Sequence, residues 1–276
     1  MSDRVVYRAA AHAMPAQLAI RDWLLVALSF ASGIYEAISF LAFGKVFTAF
    51  QTGNIVFLGV AAAGTRPPAG PDPVSVVISL GAFAVGAALA MPILTRFDGN
   101  QEVEDKDVFH VWPRRVSIAL GVGLIAQLGY LAVWMTTSPS TEATYIMLGL
   151  GAFALGMQMN AIRALHVPGV STTAATATFI SLVSGIATWA LTAPGWRRLA
   201  GGIVAMALGA LLGDWMLGHA HAYALVPPVL VIAIVVAVAS TALRGRTANP
   251  EPDFGTATSS ASVRSSDDGQ TDRHVA

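Results

Sequence analysis

Apolar residues run along this chain in long blocks, without the short alternations of a soluble protein. Eight blocks stand out, at roughly Asp22–Gly44, Val46–Ala63, Val74–Leu94, Val116–Met135, Thr144–Leu165, Val170–Leu191, Leu199–Leu217 and Ala224–Leu243. A helical crossing of a bilayer takes about 20 mostly apolar residues, so the pattern predicts an all-α, polytopic helical membrane protein. Polar residues interrupt the blocks in two places. The stretch EAISFLAFGKVFTAFQTGNIVFLG sets Glu36, Thr48, Gln51, Thr52 and Asn54 into the first and second blocks. Around the fifth and sixth stand Gln158, Asn160, Arg163, Ser171, Thr172, Thr173 and Thr176.

The two interruptions resemble each other. Sliding the chain by 124 positions lays residues 160–176 on residues 36–52 with six identities in seventeen, among them Thr48/Thr172 and Thr52/Thr176. Such self-similarity points to two related halves, about 22–136 and 144–243.

Basic residues decide how the blocks cross. If all eight span the bilayer, ten arginines and lysines fall on the side of the N-terminus and six on the other; if the second and sixth blocks enter and leave by one face, the split becomes fourteen to two, with only Lys45 and Arg66 opposite. The positive-inside rule favours the second arrangement and places both termini in the cytoplasm. It has six full spans plus two re-entrant or broken helices, and its two repeats are inverted in the bilayer, a layout that puts a solute site where broken helices meet. The alternative, eight spans with parallel repeats, stays open on sequence grounds. Gly44-Lys45 and Thr52-Gly53-Asn54 would break the first re-entrant segment, and Pro168-Gly169 with the hydroxyls after them the second.

Composition narrows the function. Among 276 residues 55% are hydrophobic and 12% charged, about half the charge of an ordinary soluble domain, and the mean hydropathy is +0.63. The formal net charge is zero, against a nucleic-acid partner. With no cysteine there are no disulfides, thiolate metal sites or cysteine nucleophiles. No phosphate-binding loop, dinucleotide fingerprint or hydrolase motif occurs, so neither a cofactor nor an enzymatic activity is expected. Residues 1–21 form a short basic cytoplasmic segment, while residues 244–276, rich in Ser, Thr, Asp, Gly and Pro, predict a disordered cytoplasmic tail.

Glu36 is the first candidate for chemistry. It lies about fourteen residues into the first block, where an ionised carboxylate costs about 2.5–3.5 kcal/mol on insertion scales. It must therefore face a cavity, pair with a base or hold a proton, and it suits a proton or cation carrier as well as a neutral interhelical hydrogen-bonder. Asn160, its match at the 124-residue displacement, should approach it if the halves are pseudo-symmetric. Gln158 and Asn160 could line a solute path or bond the halves together. Thr48, Gln51, Thr52 and Asn54, with Ser171, Thr172, Thr173 and Thr176, offer groups that can replace a solute's hydration or simply seat their helices. Arg163 could attract an anion but sits where arginines snorkel to headgroups. Asp214, His219 and His221 lack a third firm ligand for a metal site, and none is expected. Gln127 and Tyr130 read as interhelical hydrogen-bonders, and Trp112 as an interfacial anchor. Gly- and Ala-rich runs suit close helix contact, within the bundle or in a homodimer.

The pattern G-x-x-[D/E]-A-x-S-F-L at Gly33–Leu41, followed by V-F-T-A-x-x-T-G-N at Val46–Asn54, resembles the YoaK family of bacterial membrane proteins of unknown function. A second block, Ala154–Gln158, Arg163 and Val167–Thr173, resembles that family's second signature. Glu36 stands where the family usually has aspartate, and Thr176-Ala177-Thr178 where it often has Thr-Gly-Thr, which would stiffen the second kink. The resemblance implies a bacterial inner-membrane protein and no established activity. The expectation from the residues is a small-solute carrier, proton-coupled through Glu36, with a membrane scaffold or partner subunit as the alternative and a membrane-embedded enzyme behind both.

Overall fold

The computed structural model describes residues 3–64, 70–95, 109–165, 167, 179–180, 182–183, 196–243 and 247–248. Its main elements are the helices α1 (Asp3–Ala42), α2 (Gln51–Ala62), α3 (Pro73–Thr95), α4 (Arg114–Thr136), α5 (Thr141–Arg163), α6 (Trp196–His219) and α7 (Val226–Ala242), with a 3-10 turn at His221–Tyr223. Two-residue strands β1 (Phe109–His110) and β2 (Thr247–Ala248) pair antiparallel. Residues expected to open a disordered tail thus form a small ladder instead. The rest of that tail, 244–246 and from 249 on, lies outside the described residues, as does most of the sixth block with Ser171, Thr172, Thr173 and Thr176.

Six of the helices are long and apolar enough to cross a membrane: Ala16–Ala42 within α1, Pro73–Thr95, Arg114–Thr136, Thr141–Arg163, Trp196–His219, and His221–Ala242. They correspond to the six blocks expected to span. Their outward faces carry apolar side chains, among them Val77, Val85 and Leu89 on α3 and Val204, Leu208 and Leu211 on α6. A water-facing surface would not leave them bare, but lipid would. The α2 helix has twelve residues, about 18 Å at 1.5 Å per residue, too short for a hydrocarbon layer of about 30 Å.

Contacts at the helix ends fix their directions. At one end, here the near end, Asp22 of α1 binds Arg198 of α6 at 3.1 Å, and the β1–β2 ladder joins the chain before α4 to the chain after α7. At the far end Phe43, just past α1, lies 6.0 Å from Trp134 of α4 between ring centroids. The Trp134 indole donates to the His221 carbonyl ahead of α7 at 2.9 Å. There too the Tyr145 hydroxyl of α5 donates to Asp72, immediately before α3, at 3.3 Å. The chain between α1 and α3, which contains α2, therefore leaves and rejoins the bundle at the far end. The chain between α5 and α6 does the same at the near end.

The α1/α6 and α3/α5 pairs pack most extensively, each with its two helices parallel. Glycines let their backbones touch: a Cβ on Gly33 would overlap the Met206 carbonyl, and one on Gly209 the Phe30 carbonyl. The same pair of contacts recurs 123 residues away, Gly156 against Phe83 and Gly86 against Phe153. The sequence agrees at that displacement: Phe30-Ala31-Ser32-Gly33 lies on Phe153-Ala154-Leu155-Gly156, and AFAVGAAL at 82–89 matches AMALGALL at 205–212 in five of eight positions. Within the helices the displacement is 123. The 124 found around the interruptions, which already includes Ala37/Ala161 and Ile38/Ile162, needs one extra residue between Gly156 and Ala161 of α5.

Candidate functional site

The break after α1 is built from its own residues. Gly44 and Lys45 both take left-handed backbone angles, φ 76° and 67°, and the Lys45 amide donates to the Phe40 carbonyl at 2.9 Å. This double turn ends the helix with its last carbonyls satisfied. Residues 46–50 then run without regular structure until α2 begins at Gln51. Non-helical backbone at this depth must find its hydrogen bonds among side chains, and those side chains are the polar residues picked out from the sequence.

Asn54 is wholly buried. Its Nδ2 donates to the Phe47 carbonyl at 2.7 Å and to Gln51 Oε1 at 2.9 Å, while its Oδ1 accepts from the Phe47 amide at 3.1 Å. The Ser79 hydroxyl of α3 donates to the same Phe47 carbonyl at 2.6 Å. Gln51 closes the turn by donating to the Thr48 carbonyl at 2.8 Å. The Phe47 ring fills the space beside Gly53, where a Cβ would stand 3.0 Å from it, and stacks on Phe40 at 5.0 Å.

Glu36 reaches this segment from α1. Its Oε1 accepts from the Thr48 hydroxyl at 2.9 Å and from the Ala49 amide. Its other oxygen, Oε2, is buried and accepts from no described residue, and the side chain is 4% exposed. Glu36 stands six residues before the end of α1, about 9 Å into the layer. The groups acting on its carboxylate are Thr48, Ala49 and Phe50, with no cation among them.

The remaining candidates divide. Thr48, Gln51 and Asn54 converge on the break, whereas Thr52 is exposed. Gln158 is buried and donates to Ser32 Oγ of α1 at 3.0 Å, tying the two halves together. Asn160 does not meet Glu36: its Nδ2 donates to the Ala87 carbonyl of α3 at 2.7 Å. In the 123-residue register Glu36 corresponds to Met159, which removes the reason to expect that approach. Arg163 is exposed at the near end of α5. Trp112, expected at the interface, is buried and donates to Ser117 at 3.0 Å. Gln127 Oε1 and the Tyr130 hydroxyl, expected to bond between helices, have no described partner.

Two participants were not singled out from sequence: Ser79 and Ser32. Each is polar within an apolar block, but no spacing marks them off from ordinary span residues.

At the far end a cleft of about 650 Å³ opens between α1 and α6, lined by Leu41, Asp214, Trp215, His219 and His221 among others. His219 donates from Nδ1 to the Trp215 carbonyl at 2.9 Å, and His221 stacks on Trp134 at 4.6 Å. Among the described residues no three His, Cys, Asp or Glu side chains are placed to hold a metal ion.

Six apolar spans with lipid-facing surfaces define a polytopic helical membrane protein. Residues 24–238 match the family described as protein of unknown function DUF1275, and the chain belongs to that family. It is similar to the UPF0700 transmembrane protein YoaK of Bacillus subtilis (strain 168), 32% identical over 168 residues, which cover 61% of this chain and 68% of that protein. No solved structure matches it.

Proposed function

We propose that this protein is a secondary carrier or channel-like carrier for a small solute, with its polar site between α1 and the broken α2 segment and Glu36 as the ionisable group that couples a proton or cation. One observation carries this reading. A carboxylate and an irregular stretch of backbone lie together inside the bundle, and one carboxylate oxygen accepts from no described residue. Carriers built from inverted repeats place solute and ion sites at such interruptions.

The exchanged glycine contacts at 123 residues support inverted repeats, since α1/α6 and α3/α5 make the same contacts while running in opposite directions between the ends. Charge orients the assembly. Arg21, Arg114, Arg115, Arg163, Arg197 and Arg198 gather at the near end, and Lys45 at the far end, a bias that by the positive-inside rule supports a cytoplasmic near end, with both termini, in a bacterial inner membrane.

A scaffold or partner-subunit role is the second reading, favoured by a different observation: Glu36 Oε1, Asn54 and Gln51 all bond the protein's own backbone or side chains. The two readings part in proteoliposomes. Uptake and efflux are measured across a broad solute panel under imposed pH and cation gradients, for the wild type and Glu36→Gln, which keeps the acceptor for Thr48 and Ala49. A solute flux that responds to the gradient and is lost in the variant supports the carrier. A folded protein with no flux under any gradient supports the scaffold.

A further inference from the structure

Four polar atoms inside the bundle meet no partner among the described residues: Glu36 Oε2, Gln127 Oε1 and the hydroxyls of Tyr35 and Tyr130. All four side chains are at most 4% exposed. Contacts link the Glu36, Tyr35 and Tyr130 side chains. The Tyr35 and Tyr130 rings stack with centroids 5.8 Å apart, and the Tyr130 hydroxyl lies within electrostatic reach of both Tyr35 and Glu36. Tyr130 and Thr48 border the space beside Gly151, 3.2 Å and 3.4 Å from where a Cβ would stand, and Thr48 donates to the other Glu36 oxygen. Gln127 stands one turn before Tyr130 on α4, on the same helix face.

A buried polar atom without a hydrogen bond costs about 1–3 kcal/mol, and four together demand an explanation. Their chemistry supplies one. Each phenol brings one donor hydrogen, while the ionised carboxylate oxygen and the amide oxygen only accept. Two donor hydrogens and two acceptor-only oxygens thus stand unbonded to one another, an arrangement that bridging water completes. Among the described residues no cation acts on the carboxylate's negative charge.

We propose that Glu36, Tyr35, Tyr130 and Gln127 form a proton site, in which Glu36 Oε2 binds the proton and the two phenols relay it through water. The proposal gives the carrier reading its coupling ion and rests on that reading for its use, though not for its existence. On uptake a lone pair of Oε2 forms an O–H bond to a proton delivered from water; on release that bond breaks and the proton returns to water. A sodium ion would use the same four oxygens, but it would have to turn both phenol hydrogens away.

Other titratable groups on the surrounding elements lie towards the helix ends. Lys45, Asp72, Glu142, Tyr145, Asp214, His219 and His221 are at the far end, and Asp22, Arg114, Arg115, Arg163, Arg197 and Arg198 at the near end. Among the described residues none of these groups acts on the Glu36 carboxylate.

The test is infrared difference spectroscopy of the protein in lipid nanodiscs, titrated over about pH 4–10, the range in which a membrane carboxyl can change state. We expect one protonated-carboxyl band that titrates, disappears in Glu36→Gln, and shifts its midpoint by about one pH unit in Tyr130→Phe. The midpoint should be the same in sodium, potassium and choline salts. Absence of a titrating band assignable to Glu36 overturns the proposal, and so does a midpoint that follows sodium. A band unmoved by both Tyr130→Phe and Tyr35→Phe overturns the relay. Retained thermal unfolding in each variant shows that it is folded. Because this readout needs no solute, a titrating Glu36 in a protein without flux would leave the proton site standing while the carrier reading falls.

Discussion

Asn54 holds Phe47 by both of its backbone groups, donating to the carbonyl at 2.7 Å and accepting from the amide at 3.1 Å. One amide side chain thus replaces the two hydrogen bonds that a helix would have given this residue. Asn54→Ala strands the half-buried Phe47 amide and should cost about 1–3 kcal/mol, read as a lower melting temperature and faster hydrogen exchange over residues 46–50. Ser79→Ala should cost less, because the Phe47 carbonyl keeps its bond from Asn54.

The glycines separate into two groups with opposite responses to alanine. At Gly33, Gly86, Gly156 and Gly209 a Cβ would run into a backbone carbonyl of the neighbouring helix, so each Ala variant must push two spans apart and should be strongly destabilised or fail to accumulate. At Gly59, Gly81 and Gly121 nothing lies within 4 Å, and alanine there should be neutral or stabilise its helix by up to about 1 kcal/mol. Thermal unfolding in detergent across the seven variants distinguishes the groups.

Asp72 couples the far end to pH. The slight desolvation of this exposed residue alone would raise the carboxyl, but hydrogen bonds from the Ser75 amide and hydroxyl and from Tyr145 outweigh it and hold the group below the usual carboxylate range. A carboxyl lowered by folding stabilises the folded state above its unfolded value of about 4 and loses that contribution as pH falls through the folded value. Wild type should therefore lose part of its stability between about pH 4 and lower values, while Asp72→Asn should show less of that acid dependence. Melting temperature against pH, compared for the two, provides the check.

The spans were legible because lipid demands long apolar blocks, and six of the eight marked blocks appear as helices of spanning length. The first interruption was legible for the same reason, since Gly44, Lys45, Gln51 and Asn54 have little reason to stand in lipid unless backbone there needs them. Thr52 has the same composition signal but points outward, because within a helix direction depends on the register, which the break resets. The pairing of Glu36 with Asn160 failed for a related cause. The 124-residue displacement carries one residue more than the 123 that the glycine contacts between helices keep, and a slip of one residue on a helix turns a side chain to another face. Tyr35 and Tyr130 could not be paired from sequence, since their stacking depends on how α1 meets α4.

Single cysteines in this cysteine-free chain test the central arrangement most directly, two segments that each enter and leave by one face, on opposite sides of the membrane. Probes at Lys45, Gly64, Gly70 and Ser138 should react with a membrane-impermeant maleimide only from the periplasmic side, and probes at Asp98 and Gly195 only from the cytoplasmic side. Labelling of Gly70 and Lys45 from opposite sides would mean that the α2 segment crosses the bilayer, and the arrangement would be contradicted.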